Sequence, residues 1–174
     1  VVREEPRPTL KAVMRMSDSC GIFQHGIFSV PDRDHGYCLD DNARALILAH
    51  RAPADDVGAV EVDRLVAIYC AFIQHAWNPD RGRFRNFMSY DRRWLEEVGS
   101  EDSFGRGLWA IGVTAGEAAR PDIRHWALHL FDQVAPHAAD LGSQRSWAFA
   151  ILGAEALLET HERHARARAL IADL

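Results

Sequence analysis

The sequence lacks the features that would place the chain in a membrane or on nucleic acid. None of its apolar runs reaches the ~18 residues that a transmembrane helix requires. The 20 lysine and arginine residues are outnumbered by 25 aspartate and glutamate residues, which gives a formal net charge of -5. A chain with this charge has no general attraction to nucleic acid or to an acidic membrane surface. We therefore expect neither partner.

Cysteine is also scarce. The three cysteines, Cys20, Cys38 and Cys70, are odd in number and lack the paired spacing of metal-ligand motifs. Unpaired thiols are typical of a reducing compartment, which predicts a cytoplasmic location. No glycine-rich phosphate loop indicates a nucleotide site. We therefore expect no metal and no cofactor.

What the sequence does contain is a large apolar share in a chain of domain length. Of the 174 residues, 48% are hydrophobic, which is enough for a substantial buried core. The balanced charge excludes the composition of a disordered chain. We predict a single domain over residues 1–174.

Apolar periodicity predicts helices along most of the chain. Within residues 62–76, and again within 123–137, apolar side chains recur at steps of three and four, the pattern of an amphipathic helix. Further helices are predicted near residues 9–17, 40–52, 103–118, 143–159 and 161–173. The polar segments before residue 39 and between the helices that end near 76 and start near 103 are interpreted as loops. Since no segment reads as a convincing strand, the sequence predicts an all-α protein.

The predicted helices are of two alternating kinds. Those containing "ARALILA", "LWAIGVTAG" and "SWAFAILGAEALL" are apolar almost all round, so they should be enclosed on most sides. When these three are aligned, Asp40 falls on Asp102 and Asp140, and Arg44 falls on Arg106. Repeated hairpins of this kind predict an (α/α) toroid. The chain is long enough for about half of a six-hairpin barrel, which indicates a fragment of a longer protein.

Acidic residues are concentrated at two of these helix starts. Asp40 and Asp41 precede one apolar helix, and Glu101 and Asp102 precede the next. In a toroid the two starts would meet at one end of the central cavity. Paired carboxylates perform glycoside hydrolysis, in which one acts as an acid and the other activates water or attacks the sugar. These four residues are therefore the catalytic candidates, with one carboxylate expected from each start.

Aromatic and polar residues accompany both acidic pairs. Aromatic faces stack on sugar rings, and aspartate and arginine side chains bind sugar hydroxyl groups. On this basis the candidate substrate-binding residues are His35, Tyr37, Arg44, Tyr90, Trp94 and Arg106. A saccharide is the expected ligand.

Each of these features also has a purely structural explanation. An aspartate before a helix is commonly an N-cap. Arg44 and Arg106 follow Asp40 and Asp102 by four residues, which suits ordinary ion pairs along a helix. His35 suits an ordinary hydrogen bond in a loop. The sequence leaves the catalytic and the structural explanations open.

Two blocks of sequence carry a resemblance to a known family. The blocks "HGIFSVPDRDHGYCLDDNARALILA" and "GRFRNFMSYDRRWLEEVGSEDSFGRGLWAIG" resemble the helical domain of a group of bacterial proteins described as glycosyltransferases. That domain is similar to a six-hairpin, glycosidase-type toroid. The resemblance spans roughly residues 9 to 160. It implies carbohydrate chemistry, with the acidic residues at the helix starts as active-site groups.

Hydrolysis or transfer of a glycosyl unit is therefore the leading functional hypothesis, and whether the chain is itself an enzyme is left open. One alternative is a non-catalytic helical-repeat scaffold or sugar-binding module. A second is a magnesium-diphosphate site built on "DDNAR", as in all-α terpenoid enzymes. A half-toroid would also expose an apolar flank, which predicts that two copies associate to cover it.

Overall fold

The computed structural model describes residues 9–52 and 57–174. Pro53, which the sequence places just beyond the second helix, lies outside these ranges, as do the first eight residues of the predicted domain. The helices are α1 (Lys11–Arg15), α2 (Leu39–Arg51), α3 (Ala59–Ala76), α4 (Glu101–Glu117), α5 (Pro121–Val134), a 3₁₀ helix (Ala135–Asp140), α6 (Gln144–Leu158) and α7 (Ala165–Asp173). The strands are β1 (Phe23–Ile27), β2 (Val30–Cys38), β3 (Trp77–Asn78), β4 (Arg83–Phe84) and β5 (Phe87–Met88).

The prediction of an all-α protein is wrong, because both segments interpreted as loops contain antiparallel strands. One sheet has the strand order β1-β2-β5, and β3 pairs with β4 in a second sheet. The helices themselves are confirmed, and most of their ends agree with the predicted ones to within a few residues. The error therefore concerns the connections between helices.

The β1–β2 hairpin gives little signal in the sequence. Its strands are joined by two residues, and Ile27 pairs with Val30. The first loop residue, Phe28, has φ +55°, a conformation for which glycine is the usual choice. Both paired residues and Phe28 are exposed, so the tip lacks the apolar–polar alternation of a half-buried strand.

Gly36 allows the hairpin to approach the rest of the sheet. Its φ is +61°, and a Cβ atom at this position would lie 2.2 Å from the carbonyl oxygen of Met88 in β5. Two residues later, β2 ends and α2 begins directly. The close approach at Gly36 therefore fixes where the start of α2 lies relative to β5.

The helices form two layers. Helices α2, α4 and α6 lie side by side in one layer. Helix α3 packs against α2, α5 packs against α4, and α7 packs against α6. The starts of α2 and α4 meet through Asp40 and Arg106, and their ends meet through Arg51 and Glu117. Helices α2 and α4 are therefore parallel. The described residues close no ring, and the predicted half-toroid is not supported.

Helices α4 and α6 approach more closely than ordinary helix pairs because glycines line their contact. A Cβ atom on Gly112 would lie 2.0 Å from the carbonyl oxygen of Gly153, and one on Gly105 would lie 2.6 Å from that of Ser146. Neither contact leaves room for a side chain. The start of α6 is thereby brought beside the start of α4.

Candidate functional site at the starts of three helices

Arg106 connects the starts of α2 and α4. Its Nε atom lies 2.6 Å from Oδ1 of Asp40 and 3.2 Å from Oδ2 of Asp102. Only 13% of the arginine side chain is exposed, so the ion pairs are partly shielded from water. The expectation that carboxylates from two helix starts lie close together agrees with this geometry.

Helix α6 adds a basic and an aromatic side chain to the same place. Arg145 Nε lies 3.0 Å from Asp102 Oδ1, and the Arg106 guanidinium lies over the Phe149 ring with 4.3 Å between Cζ and the ring centroid. We call Asp40, Asp102, Arg106, Arg145 and Phe149 the Arg106 cluster. It contains residues from three helices that are separated in sequence.

The hydrogen bonds of the Arg106 cluster are incomplete. Nε of an arginine carries one hydrogen, and Arg106 donates it to Asp102, so its contact with Asp40 is an ion pair only. Among the described residues, no group donates a hydrogen bond to Oδ1 of Asp40 or to Oδ1 of Asp102, although both atoms are buried. No described residue accepts from Nη1 or Nη2 of Arg106 either. The cluster thus retains free donors, and its carboxylates retain unused acceptor capacity.

Asp41 is more fully engaged than Asp40. Arg44 Nη2 donates to Oδ2 of Asp40 at 2.6 Å and to Oδ1 of Asp41 at 2.8 Å. The Cys38 thiol donates to the other oxygen of Asp41 at 3.1 Å. Cys38, rather than an aspartate, is also the N-cap of α2, because its sulfur accepts from the Asp41 backbone N–H. Burial and the neighbouring Asp41 carboxylate raise the pKa of this thiol.

The Glu101 side chain caps the start of α6. Its carboxylate accepts from the backbone N–H groups of Gly142, at 3.0 and 3.1 Å, and Ser143, at 2.7 Å. These groups lie just before the first helical residue of α6, where backbone donors have no partner within the helix. Glu101 is one residue away from Asp102 in sequence and has a different environment. The structure gives it a capping contact outside the Arg106 cluster.

Tyr37 and Tyr90 lie in the sheet region. Tyr37 is buried, and its hydroxyl donates to Asp18 Oδ2 at 2.6 Å; burial, then the bond to Asp18, raise the pKa of the phenol. Tyr90 is exposed and contacts the ring of Phe23 and the guanidinium of Arg33. The contacts of the two tyrosines do not include the Arg106 cluster.

His35 and Trp94 also lie away from the cluster. His35 is exposed on β2, where its ring meets that of His25 and its Nε2 lies 3.6 Å from Asp32. Trp94 packs against α3, and its indole N–H donates to Nε2 of His75 at 3.3 Å. Of the predicted binding residues, Arg44 and Arg106 are the two that contact the predicted catalytic carboxylates.

The aromatic partners of the site come from residues that the sequence interpretation did not assign to it. Phe149 stacks on Trp109, with 5.7 Å between ring centroids and 7° between ring planes, and both rings are half-buried. Phe149 follows Arg145 by four residues on α6. An arginine and an aromatic residue at this spacing lie on the same helix face. This spacing is the sequence signal that could have identified Arg145 and Phe149 as members of one site.

Two features are absent from the described residues. In the part of the chain that the structure describes, no helix is both long and apolar enough to cross a membrane. Within the same residues, no group of three or more histidine, cysteine, aspartate or glutamate side chains is arranged to hold a metal ion.

Comparisons with models of protein families, with curated proteins and with solved structures find no match to this chain. Its class is therefore defined by its own residues. The described residues form an α+β fold in which two layers of helices carry two small antiparallel sheets. The Arg106 cluster lies where the starts of α2, α4 and α6 meet.

Proposed function

We propose that this chain is a carbohydrate-active domain that binds a saccharide at the Arg106 cluster. The observation that carries the proposal is the position of Arg106, which contacts carboxylates from two helices and whose Nη groups have no acceptor among the described residues. Sugar hydroxyl groups both donate and accept hydrogen bonds. Free guanidinium donors next to incompletely bonded carboxylates match that chemistry.

The aromatic pair Trp109 and Phe149 supports the same proposal. The two stacked rings are nearly parallel and half-buried, and the Phe149 ring lies against the Arg106 guanidinium. Apolar ring faces beside charged hydrogen-bonding groups suit a ligand with both C–H and O–H surfaces, as a sugar ring has. The resemblance of the two sequence blocks to helical domains of bacterial glycosyltransferases is consistent with this ligand.

A second candidate function is cleavage or transfer of a glycosidic bond by Asp40 and Asp102. Because both carboxylates approach the same nitrogen, their nearest oxygens are less than about 6 Å apart, which is below the ~6.5–9.5 Å separation typical of inverting enzymes. Arg106 lies between the two carboxylates and contacts both of them through its Nε atom, so binding is better supported than acid catalysis. Catalysis would require Arg106 to move.

Binding is tested by NMR titration with a panel of mono- and oligosaccharides. We expect at least one saccharide to shift the backbone resonances around Arg106, and Arg106→Gln to weaken its binding about tenfold or more, as loss of a charged hydrogen-bond donor predicts. Arg168→Gln, on the exposed face of α7, is the matched control and should bind as the unmodified chain does. Equal binding by both variants would refute the proposal.

Turnover distinguishes the second candidate from binding alone. Each saccharide that binds is incubated with the protein, and new reducing ends are measured for the unmodified chain and for Asp40→Asn and Asp102→Asn. Catalysis predicts release that both variants abolish while they still bind. Binding without release from any of the ligands would exclude hydrolysis of those ligands.

We infer further that a second copy of the chain covers the exposed side of the helical layer. Leu48 on α2 and Leu152 on α6 are 44% and 41% exposed, and exposed leucines on two helices of the same layer favour association. Sedimentation velocity should show a dimer that Leu152→Glu dissociates. A monomer at every concentration would contradict the inference.

A cytoplasmic location remains our proposal for the chain. All three cysteines are free thiols, and two of them are buried, which is compatible with a reducing compartment. Alkylation of intact cells followed by mass spectrometry should find Cys20 reduced. An oxidised Cys20 would argue against this location.

A further inference from the structure

A pocket of about 190 Å³ lies at the opposite end of the helices from the Arg106 cluster. We call it the distal pocket. Its walls come from the end of α2, the first half of α3, and the segment that joins α4 to α5. The apolar part of the wall is formed by Ala49, Val62, Val66, Ala118 and Ile123, and His50 is the aromatic polar residue in it.

The charged residues around the distal pocket are already paired. Arg120 Nη1 lies 3.0 Å from Asp63 Oδ2, which joins the starts of α3 and α5. Glu117 accepts from Arg51 Nη2 at 2.6 Å. Among the described residues that line the pocket, each charged side chain already has an ion-pair partner, so none of them is left free for a charged ligand. A neutral ligand fits it better than an ion.

His50 has a defined tautomer. The Thr114 hydroxyl carries one hydrogen and donates it to the carbonyl oxygen of Ala110 at 2.8 Å. The contact of 3.1 Å between Thr114 Oγ1 and His50 Nε2 must therefore be a hydrogen bond donated by the histidine. Burial lowers the pKa of His50, so the ring is neutral at neutral pH. Its Nδ1 atom then carries a lone pair, and no described residue donates to it.

We propose that the distal pocket binds a small uncharged molecule that has an apolar ring and one hydroxyl group, and that the hydroxyl donates to Nδ1 of His50. An apolar cavity of about 150 Å³ is known to accept benzene, so this larger space accommodates a six-membered ring with a substituent. The alanine, valine and isoleucine side chains contact the ring. His50 selects the hydroxyl. The inference is independent of the saccharide proposal, because the two sites share no residue.

Phenol and benzene are the matched probes for this pocket, since they differ by the hydroxyl group alone. In methyl NMR titrations we expect phenol to shift the resonances of Val62, Val66 and Ile123, with an affinity at least tenfold higher than that of benzene. His50→Leu should retain benzene binding and lose the preference for phenol. Ala118→Leu, which places a larger side chain in the wall, should prevent binding of both probes.

Several results would overturn the proposal. These are the absence of shifts with both probes, equal affinities for phenol and benzene in the unmodified chain, or a preference for phenol that survives His50→Leu. Asp102→Asn serves as a control that should not change phenol binding, so failure here is distinguishable from failure of the saccharide proposal.

The tautomer of His50 provides a test that needs no substitution. Long-range ¹H–¹⁵N spectra of the unmodified protein should show a protonated Nε2 and an unprotonated Nδ1, and phenol should shift the Nδ1 resonance. A hydrogen on Nδ1 would overturn the proposal, since that atom could then accept nothing from the ligand.

Discussion

Among single residues, Arg106 has the largest influence on the candidate site. Its aliphatic stem is buried, its Nε contacts two carboxylates, and its guanidinium lies over Phe149. Lysine could not replace it, because an ammonium group lacks the planar surface that stacks on an aromatic ring. Asp40 and Asp102 thus depend on one residue for their relative position.

Glu101 shows how neighbouring acidic residues acquire different roles. Removing its carboxylate leaves the N–H groups of Gly142 and Ser143 without their acceptor. We expect Glu101→Ala to lower the free energy of unfolding by about 1–2 kcal/mol, as for the loss of a helix cap, without weakening saccharide binding. Urea denaturation measures the change. Glu155→Ala, at an exposed position on α6, is the control, and an equal loss in both variants would contradict the capping role.

His50 predicts a dependence of stability on pH. Burial lowers its pKa from 6.5 in the folded state, with Glu117 opposing the shift. The unfolded chain therefore takes up a proton first as the pH falls below 6.5, and the free energy of unfolding decreases there. Each unit of pKa depression corresponds to about 1.4 kcal/mol.

The measurement is denaturation from about pH 8 to about pH 5 for the unmodified chain and for His50→Gln. The difference in the free energy of unfolding between the two proteins should become smaller as the pH falls, because only the unmodified chain loses the stability that neutral His50 contributes. A constant difference would show that His50 titrates equally in both states.

At the scale of elements, helices were predictable and strands were not. The stripes of α3 and α5 extend over several turns, so their period identifies them without tertiary information. Strands β3, β4 and β5 have two residues each, too few for alternation to be visible. The β1–β2 hairpin has an exposed tip and a phenylalanine where glycine is expected. Its pairing depends on contacts with β5 that only the folded chain makes.

The hairpin turn yields a prediction in the stabilising direction. Phe28 is fully exposed and has φ +55°, so it loses strain and little packing when replaced by glycine. We expect Phe28→Gly to raise the free energy of unfolding by about 0.5–1 kcal/mol. Phe87→Gly, in β5 at ordinary φ, should lower it. If thermal denaturation shows that both variants lose stability, Phe28 has a role in the turn beyond its backbone conformation.

The close contact between α4 and α6 predicts that a side chain at Gly112 severely lowers the stability of the protein. Gly112→Ala would put a Cβ atom 2.0 Å from the carbonyl oxygen of Gly153, and backbone cannot yield as a side chain can. We expect a loss of about 3 kcal/mol or more in the free energy of unfolding. Gly142→Ala is the control, because its Cβ would meet only Glu101 at 3.9 Å. A tolerated Gly112→Ala would show that the helices can separate.

At the scale of the whole molecule, the parallel arrangement of α2 and α4 places two different environments at their two ends. The starts carry the Arg106 cluster, and the ends adjoin the distal pocket. About three to four helical turns separate the two sites, and each site has its own charged pairs. We therefore expect ligands at the two ends to bind independently.

The sequence predicted part of the candidate site. The acidic residues at both helix starts led us to expect one carboxylate from each start at a shared site, and Asp40 and Asp102 both lie beside Arg106 because α2 and α4 are parallel and in contact. The sequence did not show that Glu101 and Asp102 have different roles, since the contact between Glu101 and Gly142 depends on how α6 packs. Phe149 was not assigned to the site for the same reason: its position follows from the glycine contacts between α4 and α6.

The most direct test of the saccharide proposal is a crystal structure determined after soaking with a mixed panel of mono- and oligosaccharides. The proposal predicts density for a sugar hydrogen-bonded to Nη1 or Nη2 of Arg106 and to Asp40 or Asp102, with a ring face against Trp109 or Phe149. Such density would also give the carboxylate separation in the bound state. An unoccupied cluster, with Arg106 still between the two aspartates at every saccharide concentration, would contradict the proposal and leave these residues as a structural connection between helices.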